Sequence, residues 1–497
     1  MRERISQGRR SKLVQGSSSL KLQVRALLRR PPVTCPAGDS IASASRSMVE
    51  NGVGSIIVVA PGGESLGIVT DRDLRERVLG AERSTSDSIT TVMSTPLAAI
   101  SPEAFVFEAL LQMTRANIHH LAVVEAGKLI GVVSSHDLLL LQAAAPLDLA
   151  RLIQSRASLV ELGAAMPDLT EAIRHLFGQG LSGYEIGRIV SELNDLVIVR
   201  VLDFVERELQ EGGLGEPPLP FCWLVLGSEG RREQTLRTDQ DNALVYQDPS
   251  LAVRQTAERY FRAFAERVIE HLVRLGYPRC PADSMASNPQ WCQPLSVWRG
   301  YFAEWARDTT PQNLMHASIY LDFRSVGGTA RLAEELRDEV RAQVNAWRSF
   351  PRYLGKIAVS HGPALGLFGR FKLQRENGRR GINLKLGGML LLNNALRAYA
   401  VDLGLDETNT IERLEAAARM GGCFTPDEVE DIREAYETIF HLRLRHQLAR
   451  LADGREADNL IDPFALTGGE QRRLRGAFRA IRRLQGKVED RYLTQAI

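Results

Sequence analysis

Two stretches of this chain spell the same order of elements about 64–65 residues apart. The first reads Ser55-Ile56-Ile57-Val58-Val59, then Gly67-Ile68-Val69-Thr70-Asp71-Arg72-Asp73-Leu74. The second reads Leu121-Ala122-Val123-Val124, then Gly131-Val132-Val133-Ser134-Ser135-His136-Asp137-Leu138. An internal repeat constrains a fold more tightly than composition does, because both copies must take one supersecondary form. That form is a helical segment, a short β-branched strand, a glycine-bearing turn, a second strand and a capped helix start. Thr70 and Ser134 stand where an N-cap oxygen is wanted. Asp73 and Asp137 follow three residues on, a capping-box-like spacing.

These residues resemble a tandem pair of cystathionine-β-synthase (CBS) domains, and the resemblance covers about residues 25–145. It implies an α/β pair in which Thr70, Asp73, Ser134 and Asp137 hold the ribose of an adenosine nucleotide. It also implies a homodimer formed through the pair. Helix capping alone accounts for the two aspartates equally well, so both roles stand open on the residues. His119 and His120 precede the second copy's strand and are candidates to face the cleft between the repeats.

A chain of 497 residues has room for roughly three domains. Hydrophobic residues at 44% and charged residues at 25% describe an ordinary globular protein. The net charge of +2 provides no field to gather nucleic acid or acidic membranes. Five cysteines cannot build a disulfide scaffold and fit a reducing, cytoplasmic setting. No apolar run approaches the ~18–20 residues that span a bilayer. Residues 1–24 form a basic, Ser-rich tail without the apolar region of a secretory signal, and a frayed terminus is expected. Of the 62 cations only seven are lysine, and between Lys128 and Lys356 every cation is Arg or His.

From Pro146 to about Gly215, apolar residues recur three and four apart and predict helices, read here as a spacer at 146–215. The breaker Gly212-Gly213-Leu214-Gly215-Glu216-Pro217-Pro218 closes this block. Phe221-Cys222-Trp223-Leu224-Val225-Leu226 then predicts a buried strand ending on Gly227-Ser228. An arginine-rich link follows, and Asp239-Gln240-Asp241-Asn242 opens a second strand through Tyr246. Strand alternation places Asp239 and Asp241 on one face. Two carboxylates held together repel unless a cation sits between them, and a hard divalent ion that keeps room for phosphates is the natural occupant. Gly227 lets a phosphate approach the backbone, and Ser228 adds donors.

Together these pieces resemble the polymerase-β-type nucleotidyltransferase superfamily. Closer still, they resemble a bacterial family related to the catalytic domain of PII-protein uridylyltransferase, in which CBS pairs commonly precede the transferase. The segment Tyr277-Pro278-Arg279-Cys280-Pro281 through Trp291, and Gly381-Ile382-Asn383-Leu384-Lys385, match further blocks of that family. The resemblance implies a mixed-sheet transferase domain at 216–344 and a helical C-terminal domain at 345–497. It assigns Asp239, Asp241 and a third carboxylate, Asp322, to a two-ion Mg²⁺ site. Asp322 is taken to lie on an alternating strand, Ser318–Arg324. Gly227, Ser228, Arg231, Arg232, Arg324 and Lys385 are the candidates for NTP phosphates. The lysine gap means that any lysine over the triphosphate comes from Lys356, Lys372 or Lys385. Glu233 either orients Arg231 or touches substrate.

The expected function is transfer of a nucleoside monophosphate from an NTP, with UTP the reading closest to the resemblance. The acceptor is a hydroxyl on a protein such as a PII-like regulator, and the CBS pair senses an adenosine nucleotide. The alternative is a signalling module that binds nucleotide without turnover. Near-neutral charge disfavours a nucleic-acid polymerase, and no membrane partner is expected. Cys280 and Cys292 are too far apart for a local zinc motif. Trp291, Trp298 and Trp305 read as packing, and the stripe of Arg443, Arg445 and Arg450 reads as a charged face.

Overall fold

The structure is a computed structural model and describes residues 23–28, 30–135, 144–236, 239–376 and 378–492. Asp137 and nearly all of the basic tail lie outside the described residues. The chain forms two compact units, Met1–Gln154 and Ser155–Ile497.

The first unit realises the repeat. Its first half carries β1 (Thr34–Pro36), α1 (Ile41–Asn51), β2 (Ser55–Val59) and β3 (Ser65–Thr70). Its second half carries β4 (Ala99–Ile100), α2 (Val106–Arg115), β5 (His120–Glu125) and β6 (Lys128–Ser134). In each half the first pair is parallel and the second antiparallel, β1-β2-β3 and β4-β5-β6. The irregularity falls at the same place, with Val58 opposite Gly67 and Val123 opposite Gly131. Close approach to backbone requires the first glycine, while the second abuts a leucine side chain that can move. A Cβ on Gly67 would sit 2.7 Å from the Ser94 carbonyl oxygen, and one on Gly131 would sit 2.5 Å from Leu28 Cδ2. Apolar residues of the helices and strands fill one core per half, including Ile41, Met48, Ile56 and Val58 in the first and Val106, Leu110, Leu121 and Val123 in the second.

The helical block begins with α3 (Ala144–Ser155), α4 (Leu159–Gly178) and α5 (Gly183–Glu211). Ser182 caps α5 in a reciprocal box with Glu185. The reading of this block as a spacer is corrected by packing. Most of α5 is buried, both outward- and inward-facing positions included, and it lies against the sheet and helices of the second unit. A helix apolar on one face only would leave polar residues exposed, but here Ser191, Asn194 and Asp195 are buried as well.

Around α5 the second unit builds a four-stranded sheet of order β10-β7-β8-β9. Its elements are β7 (Phe221–Val225), β8 (Asn242–Tyr246), α6 (Arg254–Arg274), β9 (Cys292–Pro294), α7 (Leu295–Arg307), α8 (Pro311–Tyr320), β10 (Arg324–Gly328) and α9 (Ala330–Ala346). β7 and β8 are antiparallel and buried along their whole length. Trp291, Trp298, Trp305 and Tyr320 pack together against this sheet, and Trp298 Nε1 donates to the Leu244 carbonyl at 3.2 Å.

The alternating strand expected at Ser318–Arg324 is not formed. Thr310 accepts from the Asn313 N–H with Pro311 in the first helical turn, so α8 runs to Tyr320 and β10 starts only at Arg324. Asp322 therefore sits in the turn between them.

The C-terminal region carries α10 (Phe350–Val359), β11 (Gln374–Glu376), β12 (Arg379–Asn383), α11 (Leu390–Leu403), α12 (Thr410–Arg419), α13 (Pro426–Ala452), β13 (Leu460–Ile461) and α14 (Gly468–Tyr492). Its helices were expected; the small sheet β11-β12-β13 was not. That sheet sets the chain that leads from Asn383 into Lys385.

Candidate active site

β7 delivers Leu226 to a tight helical turn, Gly227–Gly230. Gly227 has φ of +55°, and a Cβ there would lie 2.9 Å from Asp241 Oδ2. Both the backbone conformation and the neighbouring carboxylate thus demand glycine. The Leu226 N–H donates to the Asp241 carbonyl at 3.0 Å, which locks the serine turn onto the strand that carries the aspartates.

Asp239 and Asp241 lie just before β8, and Cys280 joins them. One ligand atom from each of the three lies within 4.8 Å of the others. Burial pushes the Asp241 carboxyl above its ordinary range; the Cys280 thiol, donating to it, and Lys385 oppose this, while the Asp239 charge adds to it. Burial and the same carboxylate hold the Cys280 thiol at about 11. Lys385 Nζ reaches Asp239 Oδ1 at 3.4 Å. Ser228, Gln234, Asp239, Asp241 and Lys385 line one small cavity. Gln234 is 4% exposed, and its Oε1 has no partner among the described residues.

Convergent oxygens with too few protons or cations fit a hard divalent ion. Asp239 and Asp241 would hold it, and Lys385 adds a cation at the rim where phosphate charge would lie. The five expected residues Gly227, Ser228, Asp239, Asp241 and Lys385 are therefore brought together.

Asp322 is not among them. Arg231 Nη1 donates to its Oδ2 at 2.8 Å, Arg397 Nη2 at 2.6 Å, and Arg413 Nη2 donates to Oδ1 at 2.7 Å. Burial raises the pKa of this fully buried carboxyl. Arg397, Arg413 and Arg231 outweigh that and hold it well below the carboxylate range. With both oxygens occupied by guanidinium groups, Asp322 has no lone pair to offer a metal, and the expectation of a third metal-binding carboxylate there is corrected. Gly230 marks how close this turn comes: a Cβ on it would sit 1.8 Å from the Asp322 carbonyl oxygen.

The expected phosphate arginines are also spoken for. Arg324 grips Asp195 of α5 with two bonds of 2.6 and 3.0 Å and adds one to the Glu229 carbonyl. Arg232, at φ +56°, faces Glu192 at 3.4 Å. Arg231 binds Glu233 at 2.9 Å as well as Asp322, and reaches Ser228 Oγ at 3.4 Å from behind the turn. Glu233 orients Arg231 and also accepts from the Thr410 N–H at 2.6 Å. These arginines position the loop instead of facing the carboxylate pair.

Two residues were missed. Cys280 was set aside because its sequence neighbours hold no second ligand; only the fold brings it to Asp241. Arg443 was read as part of an exposed stripe, but it is 2% exposed, and its Nε donates to Asn459 Oδ1 at 2.6 Å. Its Nη2 has no partner among the described residues. Burial lowers its pKa to about 10, with the Asp239 charge the first influence opposing that. A signal existed: Arg443 continues the helical series Tyr436, Phe440, Gln447 on the buried face of α13.

In the first unit, Thr70 caps the helix start at Asp71, and Asp73 accepts from the Thr70 N–H at 2.9 Å and its hydroxyl at 2.7 Å. Ser94 Oγ donates to the other oxygen of Asp73 at 3.2 Å. A cavity of about 460 Å³ is lined by Arg30, Gly54, Asp71, His119, His120 and Ser134, among others. Ser134 and both histidines thus reach the cleft, and Thr70 and Asp73 form the cap beside it.

A mixed sheet with a glycine-serine turn and an Asp-x-Asp at its edge is joined to a helical region and preceded by a CBS pair, the architecture that three family models cover between them. Family models agree: "CBS domain" matches residues 24–80 and 89–144, "Putative nucleotidyltransferase DUF294" residues 167–312, and "Putative nucleotidyltransferase substrate binding domain" residues 348–492. The chain belongs to this family of CBS-containing nucleotidyltransferases. An uncharacterized protein of Methanopyrus kandleri is 31% identical over 24% of this chain and 61% of its own length. A mitochondrial CBS domain-containing protein of Arabidopsis thaliana is 33% identical over 21% of this chain and 52% of its own. The chain thus spans only about half to three-fifths of these relatives. A solved CBS domain protein of Pyrobaculum aerophilum, complexed with AMP, is 27% identical, covering 25% of this chain and all of its own, with a TM-score of 0.23. Among the described residues, no helix is long and apolar enough to cross a membrane.

Proposed function

We propose that the second unit transfers a nucleoside monophosphate from an NTP to a hydroxyl, with a divalent metal ion such as Mg²⁺ held by Asp239 and Asp241. The observation that carries this reading is the meeting of those two carboxylates with Ser228 and Lys385 at one cavity. In the reaction the acceptor hydroxyl oxygen bonds the α-phosphorus and gives up its proton to solvent, the bond from that phosphorus to the departing oxygen breaks, and pyrophosphate leaves. A bound ion supplies charge neutralisation on the triphosphate and on the departing oxygen. Ser228 and the N–H groups of its turn hold phosphate oxygens, and the glycine at 227 leaves the backbone approachable. Lys385 balances phosphate charge from the C-terminal side, and Arg443 is a buried second cation behind Asp239. The acceptor is read as a protein of the PII type and the nucleotide as UTP, from the family resemblance.

The CBS cleft is read as the sensor for an adenosine nucleotide. Arg30 and the two histidines would meet phosphate. Asp71, whose carboxylate lines the cleft, suits the ribose better than Asp73, whose oxygens serve the cap.

The test is incubation of the whole protein with each labelled NTP, Mg²⁺ and candidate acceptor proteins. Label transfer that disappears in Asp239→Asn and Asp241→Asn supports the enzyme. NTP binding without label transfer or pyrophosphate release for any base favours the non-catalytic module. Failure of the wild-type chain to bind AMP or ATP, with His120→Ala as the reference, removes the sensor role.

A further inference from the structure

The C-terminal region gathers positive charge on its surface. From Leu365 to Leu386 the chain carries six cations against one acid, Glu376, and from Gly468 to Arg483 it adds six arginines against Glu470. The whole protein nets only +2, so this excess is local. The acids nearby are already engaged. Glu376 accepts from Asn383 Nδ2 at 2.9 Å, Glu470 pairs with Arg445, and Asp458 is shared by Arg379, His446 and Arg450. Asp462 accepts from the Phe464 N–H at 2.9 Å. Arg370, Lys372, Arg375, Arg380, Arg472 and Arg479 are exposed and make no ion pair among the described residues.

The two segments touch. Arg475 Nε donates to the Gly369 carbonyl at 3.0 Å, and its guanidinium lies 4.4 Å from the Phe371 ring centroid. Arg482 Nη2 donates to the Leu365 carbonyl at 2.5 Å, and a Cβ on Gly369 would lie 3.7 Å from Arg479 Nη2. Two features of this surface ask for a partner. In the β11-β12 hairpin Arg375 lies directly opposite Arg380, and like charges opposed across a strand pair destabilise it until an anion offsets them. In the preceding loop Phe368 has φ of +57° and is 97% exposed, a conformation that bulky residues rarely adopt. Leu386, Leu390 and Phe464 are exposed as well. The Phe464 ring lies 6.4 Å from that of Phe371, and a Cβ on Gly387 would lie 3.3 Å from Ala364 Cβ. Leu386 follows Lys385, which lines the aspartate cavity, so this surface runs up to the candidate site.

We infer that this surface docks the protein that carries the acceptor hydroxyl, and that this partner meets it with an acidic face bearing apolar side chains; the inference rests on the transferase reading. The cations complement the acids and steer the encounter. Phe368, Phe464 and the two leucines supply the apolar contact that protein interfaces place within an arginine-rich surround. The aliphatic members separate this partner from nucleic acid, which would use the cations and a stacking ring but gain little from leucine.

The probe is a short fluorescein-labelled peptide that alternates glutamate with leucine around one tyrosine, titrated into the full chain by fluorescence anisotropy. Its glutamine analogue and a labelled oligothymidylate of equal charge are the controls. The expected result is saturable peptide binding at least tenfold tighter than either control, weakening as salt rises. Phe368→Ser should weaken it tenfold or more with native circular dichroism. Arg375→Glu should weaken it likewise while Tm holds or rises, because the new carboxylate faces Arg380; a merely structural role would lower both. Asp239→Asn should leave peptide binding unchanged, so a chain that binds the peptide but transfers no label keeps this surface and loses the transferase reading. No saturable binding, equal or tighter binding of either control, or indifference to both surface substitutions overturns the inference.

Discussion

Asp322→Asn asks whether this residue is a metal ligand or the anion at the centre of an arginine cluster. The substitution keeps the shape and removes the charge. Five N–O contacts of 2.6–3.2 Å from Arg231, Arg397 and Arg413 end on its two oxygens. Asn can accept at one oxygen only, and its amide nitrogen would face donors. Breaking a buried ion pair by removing one partner costs about 3–5 kcal/mol, because the surviving charge stays desolvated. Here three cations survive with Glu233 as their only bonded carboxylate among the described residues, so the upper part of that range is expected. At roughly 2–4 °C per kcal/mol for domains somewhat smaller than this unit, Tm should fall by about 5–15 °C. Melting and urea titration of the second unit's transition measure it. The pH dependence gives a second reading. A carboxyl whose folded pKa is depressed adds stability above its unfolded value of about 3.9 and loses it as pH falls toward the folded value. The wild type should therefore lose this contribution on acidification below about pH 4, and Asp322→Asn should show no such step. If the variant melts within about 0.5 kcal/mol of the wild type and loses metal affinity instead, the reasoning is wrong and Asp322 is a ligand.

Three further outcomes follow from the same geometry. Glu229 is buried beside Asp195, and burial raises its pKa to about 8; stability should fall as pH rises from about 4.3 to 8, and Glu229→Gln should flatten that slope in pH-dependent melts. Gly230→Ala puts a Cβ 1.8 Å from the Asp322 carbonyl oxygen, so it should cost about 3 kcal/mol or more by denaturant titration. Lys385→Ala should lower kcat/KM by about 10²-fold, with partial recovery in Lys385→Arg, if the lysine stabilises phosphate charge; steady-state assays with the accepted NTP measure this.

The parts of the site written in local sequence were legible. A buried strand, a glycine at positive φ, a serine and Asp-x-Asp before the next strand are fixed by neighbours within a few residues, and β7, Gly227 and β8 appear where the spacing put them. The repeat was legible for the same reason, down to the glycines opposite Val58 and Val123. Asp322 was misread because alternation over seven residues resembles a strand, while the Thr310-Pro311 helix start that overrides it lies a dozen residues upstream. Its partners Arg397 and Arg413 lie 75 and 91 residues away. No local pattern carries that information. The burial of α5 escaped for a related reason: its polar residues Asn194 and Asp195 look solvent-facing until Tyr277, Glu229 and Arg324 are brought to them.

The scarcity of lysine takes on a physical sense in this arrangement. Arginine's planar fork is pre-organised for several contacts at once and stays charged when buried: Arg324 and Arg397 each grip one carboxylate with two or more bonds, Arg231 joins Asp322 to Glu233, and Arg413 joins Asp322 to the Glu407 carbonyl. They fasten the serine turn to α5, α11 and α12, so their charge is consumed inside the protein. A triphosphate in the cavity needs a cation that can move with it and is not already committed. Lysine, a point charge on a flexible stem, fits that need. Within the second unit, Lys385 is the lysine that reaches the aspartate pair, at 3.4 Å from Asp239 and from a turn set by β12 and β13. On the proposed function, a division follows between arginines that build the loop and a lysine that would meet the substrate. On that reading the C-terminal helical region takes part in the chemistry of the site, because removing it would take away both the lysine and two of the three guanidinium groups that hold Asp322.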